Sequence, residues 1–279
     1  MYTKRFRCKI FVLCIPGVVG FLLFYGIPFC KSICYSFTGD TYRKEFVWFE
    51  NFERILKNQY FQLALKNTIV FSILGVALLL SMSFFLAYGL STIVKRAEVI
   101  KNVLVLPMFL PTISVISAWQ VIFDNEVYYN WMKSGNGFVE VLPIYVLYIW
   151  KNVGLNIILI TAAFSGLPEE VLEAAELDGA RGWKRLRYIM LPLISPTLFF
   201  VGILSFVNSM KIFRESFLFY ETGYPPDAAY TIQYYMNNHF LKVNYQNLSC
   251  ASTIVAVLIG VLIVVVYRKQ NKLMKDVSL

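Results

Sequence analysis

Reactive side chains are scarce in this sequence, and their absence excludes whole classes of chemistry. The single histidine, His239, cannot build a metal site that needs two imidazoles, and neither CxxC nor HExxH occurs. The five cysteines, Cys8, Cys14, Cys30, Cys34 and Cys250, are odd in number and fall mostly in apolar stretches, as small buried side chains do and a disulfide framework does not. No phosphate-cradling GxxxxGKS or GxxxxGKT is present, so the chain itself is not expected to hydrolyse ATP. No Asp or Glu is placed at depth in the apolar runs, which leaves an embedded enzyme without an acid or base. No catalytic residue and no metal ligand is assigned. What remains is hydrogen bonding. Lys151, Asn152 and Asn156, then Asn208, Ser209 and Lys211, interrupt otherwise apolar runs, where an unpaired polar group costs several kcal/mol. Asn152 and Asn156, four apart, share one helix face. With Trp119, Gln120, Trp150 and Phe206 they offer amides and aromatic faces to a polar solute; the same amides serve equally to bond neighbouring helices or to cap a broken one.

The elements that must position these groups follow from composition. The chain has 279 residues, 58% hydrophobic and only 15% charged, too greasy for an ordinary soluble enzyme. Its net charge of +9 comes without any dense basic run, so membrane-surface loops account for it better than nucleic acid does. A hydrocarbon core about 30 Å thick needs roughly 20 apolar helical residues. Six such runs occur: Ile10 to Phe29, Asn67 to Ile93, Val103 to Phe123, Val141 to Phe164, Leu193 to Phe213 and Leu248 to Tyr267. The first follows a basic head (Lys4, Arg5, Arg7, Lys9) but has no small-residue cleavage site before Lys31, and is expected to be a retained anchor. Lys and Arg concentrate in the head, around Lys95, Arg96 and Lys101, from Arg181 to Arg187, and in the tail from Arg268 to Lys275. The positive-inside rule then puts both termini in the cytoplasm. The outer segments Lys31 to Gln62 and Arg214 to Asn247 are aromatic-rich, as an interfacial belt or a partner contact would be, and Pro225 and Pro226 fix a turn. No repeat or low-complexity tract divides residues 1–279, which read as one all-α membrane domain of six transmembrane helices.

Between the fourth and fifth runs lies an inner segment, 165–192, reading SGLPEEVLEAAELDGARGWKRLRYIMLP. Pro168 suits a first helical position, Glu169 and Glu170 place charge at the positive end of the helix dipole, and Gly179 is a natural stop. A helix over Pro168 to Asp178 is about 16 Å long, too short to span. Leu186, Ile189 and Met190 then form a second apolar stripe expected to pack under the membrane helices. From periodicity alone the short helix is either a solvated loop element or a projection that docks in another protein's groove, with Glu173 and Asp178 accepting hydrogen bonds from a partner's cations.

Glu173-Ala174-Ala175, three residues, Gly179, nine residues, Ile189, one residue, Leu191-Pro192 resembles the EAA loop of ABC-importer membrane subunits at every defining position. ELDGA before the Leu-Pro pair is similar to the carbohydrate branch, the maltose-type binding-protein-dependent permeases. The likeness extends to IPFCKSICYSFT, WFENFERIL before ALKNT, and VLPMFLPTISVISAWQVIF. It implies a type I ABC-importer permease fold in a bacterial plasma membrane and a subunit that performs no chemistry itself, with ATP and Mg bound only by a partner. The implied partners are a second permease chain forming a heterodimer, a homodimeric ATP-binding subunit and an extracellular solute-binding protein. The implied substrate is a sugar or oligosaccharide, with glycerol phosphate, a peptide or a secondary-transport mechanism as alternatives. Residues Glu173, Ala174, Ala175, Asp178, Gly179, Ile189, Leu191 and Pro192 are then expected to couple to the ATPase. Trp119, Gln120, Trp150, Lys151, Asn152, Asn156, Asn208 and Ser209 are expected to line the solute path. Thr222-Gly223-Tyr224-Pro225-Pro226 departs from the family's Gly-Gly-Pro turn, and the tail lacks the glycine-rich ending of second permease partners.

Overall fold

The computed structural model describes residues 14–39, 45–91, 97–123 and 137–277. The basic head with Cys8, the pair Lys95 and Arg96, and most of the outer segment after the third run lie outside the described residues. The described residues are helical, with one isolated bridge, Thr38 to Phe46. Five helices are long and apolar enough to cross a membrane, and a sixth span arises if a bent pair counts as one. The chain forms two compact units.

The first unit takes residues up to Gln62 and Tyr235 to Ile259. Helix α1, Cys14–Ser36, contains one π-helical turn at Leu22–Gly26. Its last carbonyl is not left bare: the buried Asn51, on α2 (Glu50–Leu56), donates from Nδ2 to Ser36 O at 3.1 Å and to Thr38 O at 2.7 Å. A helix end needs such a partner when water cannot supply it. Ser32 and Ser252 are within 3.2 Å, and Cys250 Sγ reaches Ser36 O at 3.3 Å. Of the four described cysteines, all free thiols, only Cys250 is buried; Cys14, Cys30 and Cys34 are exposed on α1, against the expectation of small buried residues.

The second unit, Leu63 to Tyr234 and Gly260 onward, holds the polar groups of interest. Its helices are α3 (Gln59–Ser91), α4 (Ala97–Phe109), α5 (Thr112–Phe123), α6 (Gly137–Ser165), α7 (Glu169–Leu177), α8 (Leu191–Met210), α9 (Phe213–Tyr220), α10 (Ile232–Leu241) and α11 (Tyr245–Val277), with α3, α10 and α11 each crossing from one unit to the other. The third apolar run is not one straight helix. It bends by 97° between α4 and α5, where Pro111 lacks a donor and forces Leu110 out of the helical region. α6 forms the centre: Ile144, Tyr145, Tyr148, Ile157, Ile160 and Phe164 are buried against Phe71 and Leu79 of α3 and Ile194 and Val201 of α8. α4 approaches α6 closely enough that a Cβ on Gly154 would stand 1.9 Å from Leu104 O, so glycine is required there by backbone contact.

Candidate functional site

Two places deserve description as sites, the loop after α6 and the polar seam around the middle of α6. In the loop, Pro168 is the residue before the helix, with ψ 127°, and not its first helical residue as expected. The difference is small because an extended Pro168 still sets Glu169 and Glu170 in the first turn, where the dipole favours them. α7 ends in a Schellman arrangement: Ala180 N donates to Ala175 O at 2.9 Å and Gly179 N to Glu176 O at 3.1 Å. Gly179 at φ +81° makes that turn possible without a Cβ penalty. Gly182, at φ +53°, is a second requirement of the same kind that the motif spacing does not reveal.

The side chains of the loop divide by direction. Ala175 is buried by its own chain, whereas Glu173, Ala174, Asp178 and Gly179 are exposed, so of the two alanines only Ala174 is free to meet another protein. Glu176 is held internally by Arg181 at 3.6 Å and Arg185 at 3.9 Å, while the Glu173 and Asp178 carboxylates have no ion-pair partner among the described residues. Leu177 is 89% exposed, an apolar knob at the helix end. After Gly182 the chain makes a π-helical turn at Leu186–Met190 that runs straight into α8. Leu186 is buried in the main core with Met190 against it, as the second stripe predicts; Ile189 is half-buried. Leu191 and Pro192 lie at the end of an apolar groove of about 710 Å³ between α3, α8 and α11.

The seam brings most of the remaining polar residues together, in two groups. Asn208 Nδ2 donates to Asn152 Oδ1 at 2.9 Å, Asn156 Nδ2 to Ser205 Oγ at 2.9 Å, and Ser209 Oγ to Ser72 Oγ at 2.9 Å. Tyr148 Oη donates to Ser205 O at 2.7 Å, and Asn152 Nδ2 to Tyr148 O at 2.8 Å. Asn152, Asn156 and Tyr148 on α6 thus meet Asn208 and Ser205 on α8 as a ladder, and Ser209 extends it from α8 to Ser72 on α3. The second group lies where α5 and α9 meet α6. Trp119 and Trp150 meet edge to face with centroids 5.7 Å apart, and Trp119 stacks on Phe123. Gln120 Nε2 donates to Leu218 O at 3.3 Å, Phe219 O at 3.1 Å and Glu221 Oε1 at 3.2 Å, binding the carbonyl end of α9. Lys211 is exposed in the short break between α8 and α9.

Lys151 is the expected mid-span cation, and it is paired. Its Nζ lies 2.8 Å from Glu215 Oε1, with side-chain exposures of only 13% and 8%. It also donates to Thr112 Oγ1 at 3.3 Å. The expectation that no acid lies at depth is corrected here: α8 breaks after Met210, and the chain continues as α9 with Glu215 buried against α6. The available signal was Lys151 itself, since a cation inside a span demands a counter-charge. Thr112, Ser72, Tyr148 and Ser205 were also missed, being ordinary residues until the folding places them. Outside the spans, His239 on α10 packs against Tyr235 with centroids 4.4 Å apart. Burial, then the nearby Lys242 charge, holds its imidazole below its usual pKa.

Among the described residues, then, several apolar helices enclose a polar seam, and a short acidic helix stands between two of them. The comparisons specify the class: residues 84–277 match the signature of the family described as binding-protein-dependent transport system inner membrane component, and the chain belongs to that family. It is thus a multi-pass membrane permease subunit of the ABC-importer class. It is 29% identical to an arabinooligosaccharides transport system permease protein of Halalkalibacterium halodurans, over 89% of this chain and 83% of that one. It is 26% identical to an sn-glycerol-3-phosphate transport system permease protein of Rhizobium meliloti, over 90% of each. A chain of a bacterial ABC transporter involved in import of the acidic polysaccharide alginate shares the fold, with a TM-score of 0.77 at 19% identity over 97% of this chain and 98% of that one.

Proposed function

We propose that this permease moves an oligosaccharide inward by alternating access, driven by ATP hydrolysis on a separate subunit that grips α7. The observation that carries the reading is the state of α7: a helix rigidly terminated at Gly179, with Glu173, Ala174 and Asp178 facing out and Glu176 tied back to its own loop. Such an element is built to transmit force to a partner of basic, apolar lining. Glu173 is the ionic contact, Ala174 the close-packed surface, and Gly179 the turn that permits the fit. Ile189, Leu191 and Pro192 carry the motion into α8. The same reading places both termini in the cytoplasm, from the Lys and Arg distribution, and calls for a second permease chain, two ATPase subunits and a solute-binding protein outside.

For the solute, the arabino-oligosaccharide permeases of H. halodurans and Bacillus subtilis support a sugar, and so does the chemistry of the seam. Asn152 pairs with Asn208, Asn156 with Ser205 and Ser209 with Ser72, and each such bond is exchangeable for a sugar hydroxyl. Trp119, Gln120, Trp150 and Lys151 flank them. The test is to isolate the tagged chain from native membranes in mild detergent, identify co-purifying subunits, and reconstitute the complex with its binding protein. ATP-dependent uptake of arabinotriose supports the reading. Recovery of the chain alone, with uptake that needs no ATP, overturns it in favour of a secondary carrier.

A further inference from the structure

The buried charges of the seam reduce to one pair. Lys151 and Glu215 are close enough to cancel, both are nearly enclosed, and Thr112 Oγ1 takes a second hydrogen bond from the ammonium. Arg214 also reaches Thr112 Oγ1 at 3.3 Å and Glu215 at 3.6 Å, but its side chain is 70% exposed, where water and salt screen its charge. Gln120 meets Glu221 on the exposed side of the same cluster. The wall beside the amide ladder is therefore electrically neutral at depth, although it contains a lysine. A neutral wall with amides suits hydroxyl-bearing, uncharged solutes. A lone lysine in the same place would call for an anion, because an uncompensated buried charge is costly and a solute carboxylate would relieve it.

We propose that Glu215 is a specificity-determining residue: by holding Lys151 as a closed ion pair, it sets this permease for uncharged oligosaccharides and against uronate or phosphate-bearing ones. The inference rests on the proposed solute path along α6 and deepens it. Glu215 acts through Lys151 and is a positioning residue, since the ammonium is the group that would meet a solute acid. The pair also ties α9 to α6, with Thr112 bringing in the first turn of the bent α5. The preference is thus built into three helices and does not depend on an exposed loop.

The experiment uses the purified complex in detergent without the binding protein, whose own selectivity would mask the effect. Trp119 and Trp150 border the site and report binding by fluorescence quenching. The probes are arabinotriose and a guluronate trisaccharide. The wild-type complex is expected to bind arabinotriose at least tenfold more tightly, and Glu215→Gln to shift the ratio at least tenfold toward the guluronate. Lys151→Met with Glu215→Gln removes both charges and returns the preference to the neutral sugar, which separates the charge effect from a folding defect. Equal or tighter guluronate binding by the wild type, or a ratio unmoved by Glu215→Gln in a complex that still assembles, overturns the proposal. Quenching by neither sugar instead overturns the solute path on which it stands.

Discussion

Gly154→Ala offers the sharpest test of the packing that supports the seam. An added Cβ would lie 1.9 Å from Leu104 O, 2.5 Å from Leu104 C and 2.8 Å from Val105 N, all backbone atoms of α4. Ordinary contact begins near 3.4 Å, so α4 must retreat by about 1.5 Å along its closest line with α6. No flexible side chain can absorb that shift. The cost is therefore at the upper end of overpacking, about 3 kcal/mol. Gly260→Ala is the control, because nothing stands within 4 Å of its added Cβ and the site is an exposed helix interior. There the exchange should stabilise by up to about 1 kcal/mol through helix propensity. The assay is thermal melting of the two purified variants in one detergent, followed by tryptophan fluorescence. Gly154→Ala should melt several degrees below the wild type and Gly260→Ala at or above it. A Gly154→Ala protein as stable as the wild type would refute the close approach of α4.

The other expectations concern separate parts of the chain. Glu173→Lys reverses the exposed charge of α7, and Gly179→Val forces a β-branched residue to φ +81° at a cost of roughly 1–2 kcal/mol; each should leave the spans assembled while ATP-driven uptake falls to background, and full uptake in both would sink the coupling role of α7. Asn152→Ala deprives Asn208 of its acceptor, and a double-mutant cycle with Asn208→Ala should show a coupling of about 1 kcal/mol in thermal stability, additivity within error counting against the ladder. His239 is half-buried with Nδ1 unpartnered among the described residues, and its pKa in the folded protein lies below that in the unfolded chain. The unfolded state then binds the extra proton first, so stability should be full above about pH 6.5 and fall as the pH drops through that value. His239→Gln should flatten this part of the profile, and an unchanged acid slope in that variant would exclude His239 as its source.

Much of this was legible in the sequence, for reasons that differ by element. Long apolar runs announce spans because lipid leaves a helix no alternative partner for its backbone, and Gly179 marks the end of α7 because the turn there needs φ +81°. The bend at Pro111 was marked by the proline itself, yet a hydropathy window reads straight through it. Asn152 and Asn156 drew attention as polar groups in an apolar run, but their partners did not: Ser205 and Ser72 are unremarkable in sequence and acquire meaning only when α3, α6 and α8 meet. Glu215 was hidden for a different reason. It follows Arg214 just beyond an apolar run, so it looked like an outer-loop acid, and the break between Met210 and Phe213 that turns it inward has no strong sequence signal.

The loop and the amide ladder are joined by one continuous helix. α6 is continuous from Gly137 to Ser165, and Asn152 stands about 20 Å from the start of the loop at Ser165 by helical rise. Its middle is enclosed on several sides, with Tyr148, Ile157 and Ile160 fully buried, so it cannot bend cheaply to dissipate a push. At the Ser165 end, the Schellman turn and the Glu176 ties to Arg181 and Arg185 hold α7 against the segment that enters α8. α7 is therefore joined to both α6 and α8, the two helices whose side chains form the amide ladder, as the proposed coupling role requires. Asn152 to Asn208 and Asn156 to Ser205 are the contacts that must shear when those helices move apart. Each is a neutral hydrogen bond of modest net strength, so exchanging it for another costs little. The Lys151 to Glu215 pair is the stiffer contact, and it joins α6 to α9 and α5, not to α8. The seam thus has a soft side, where rearrangement is cheap, and a charged side that keeps its shape.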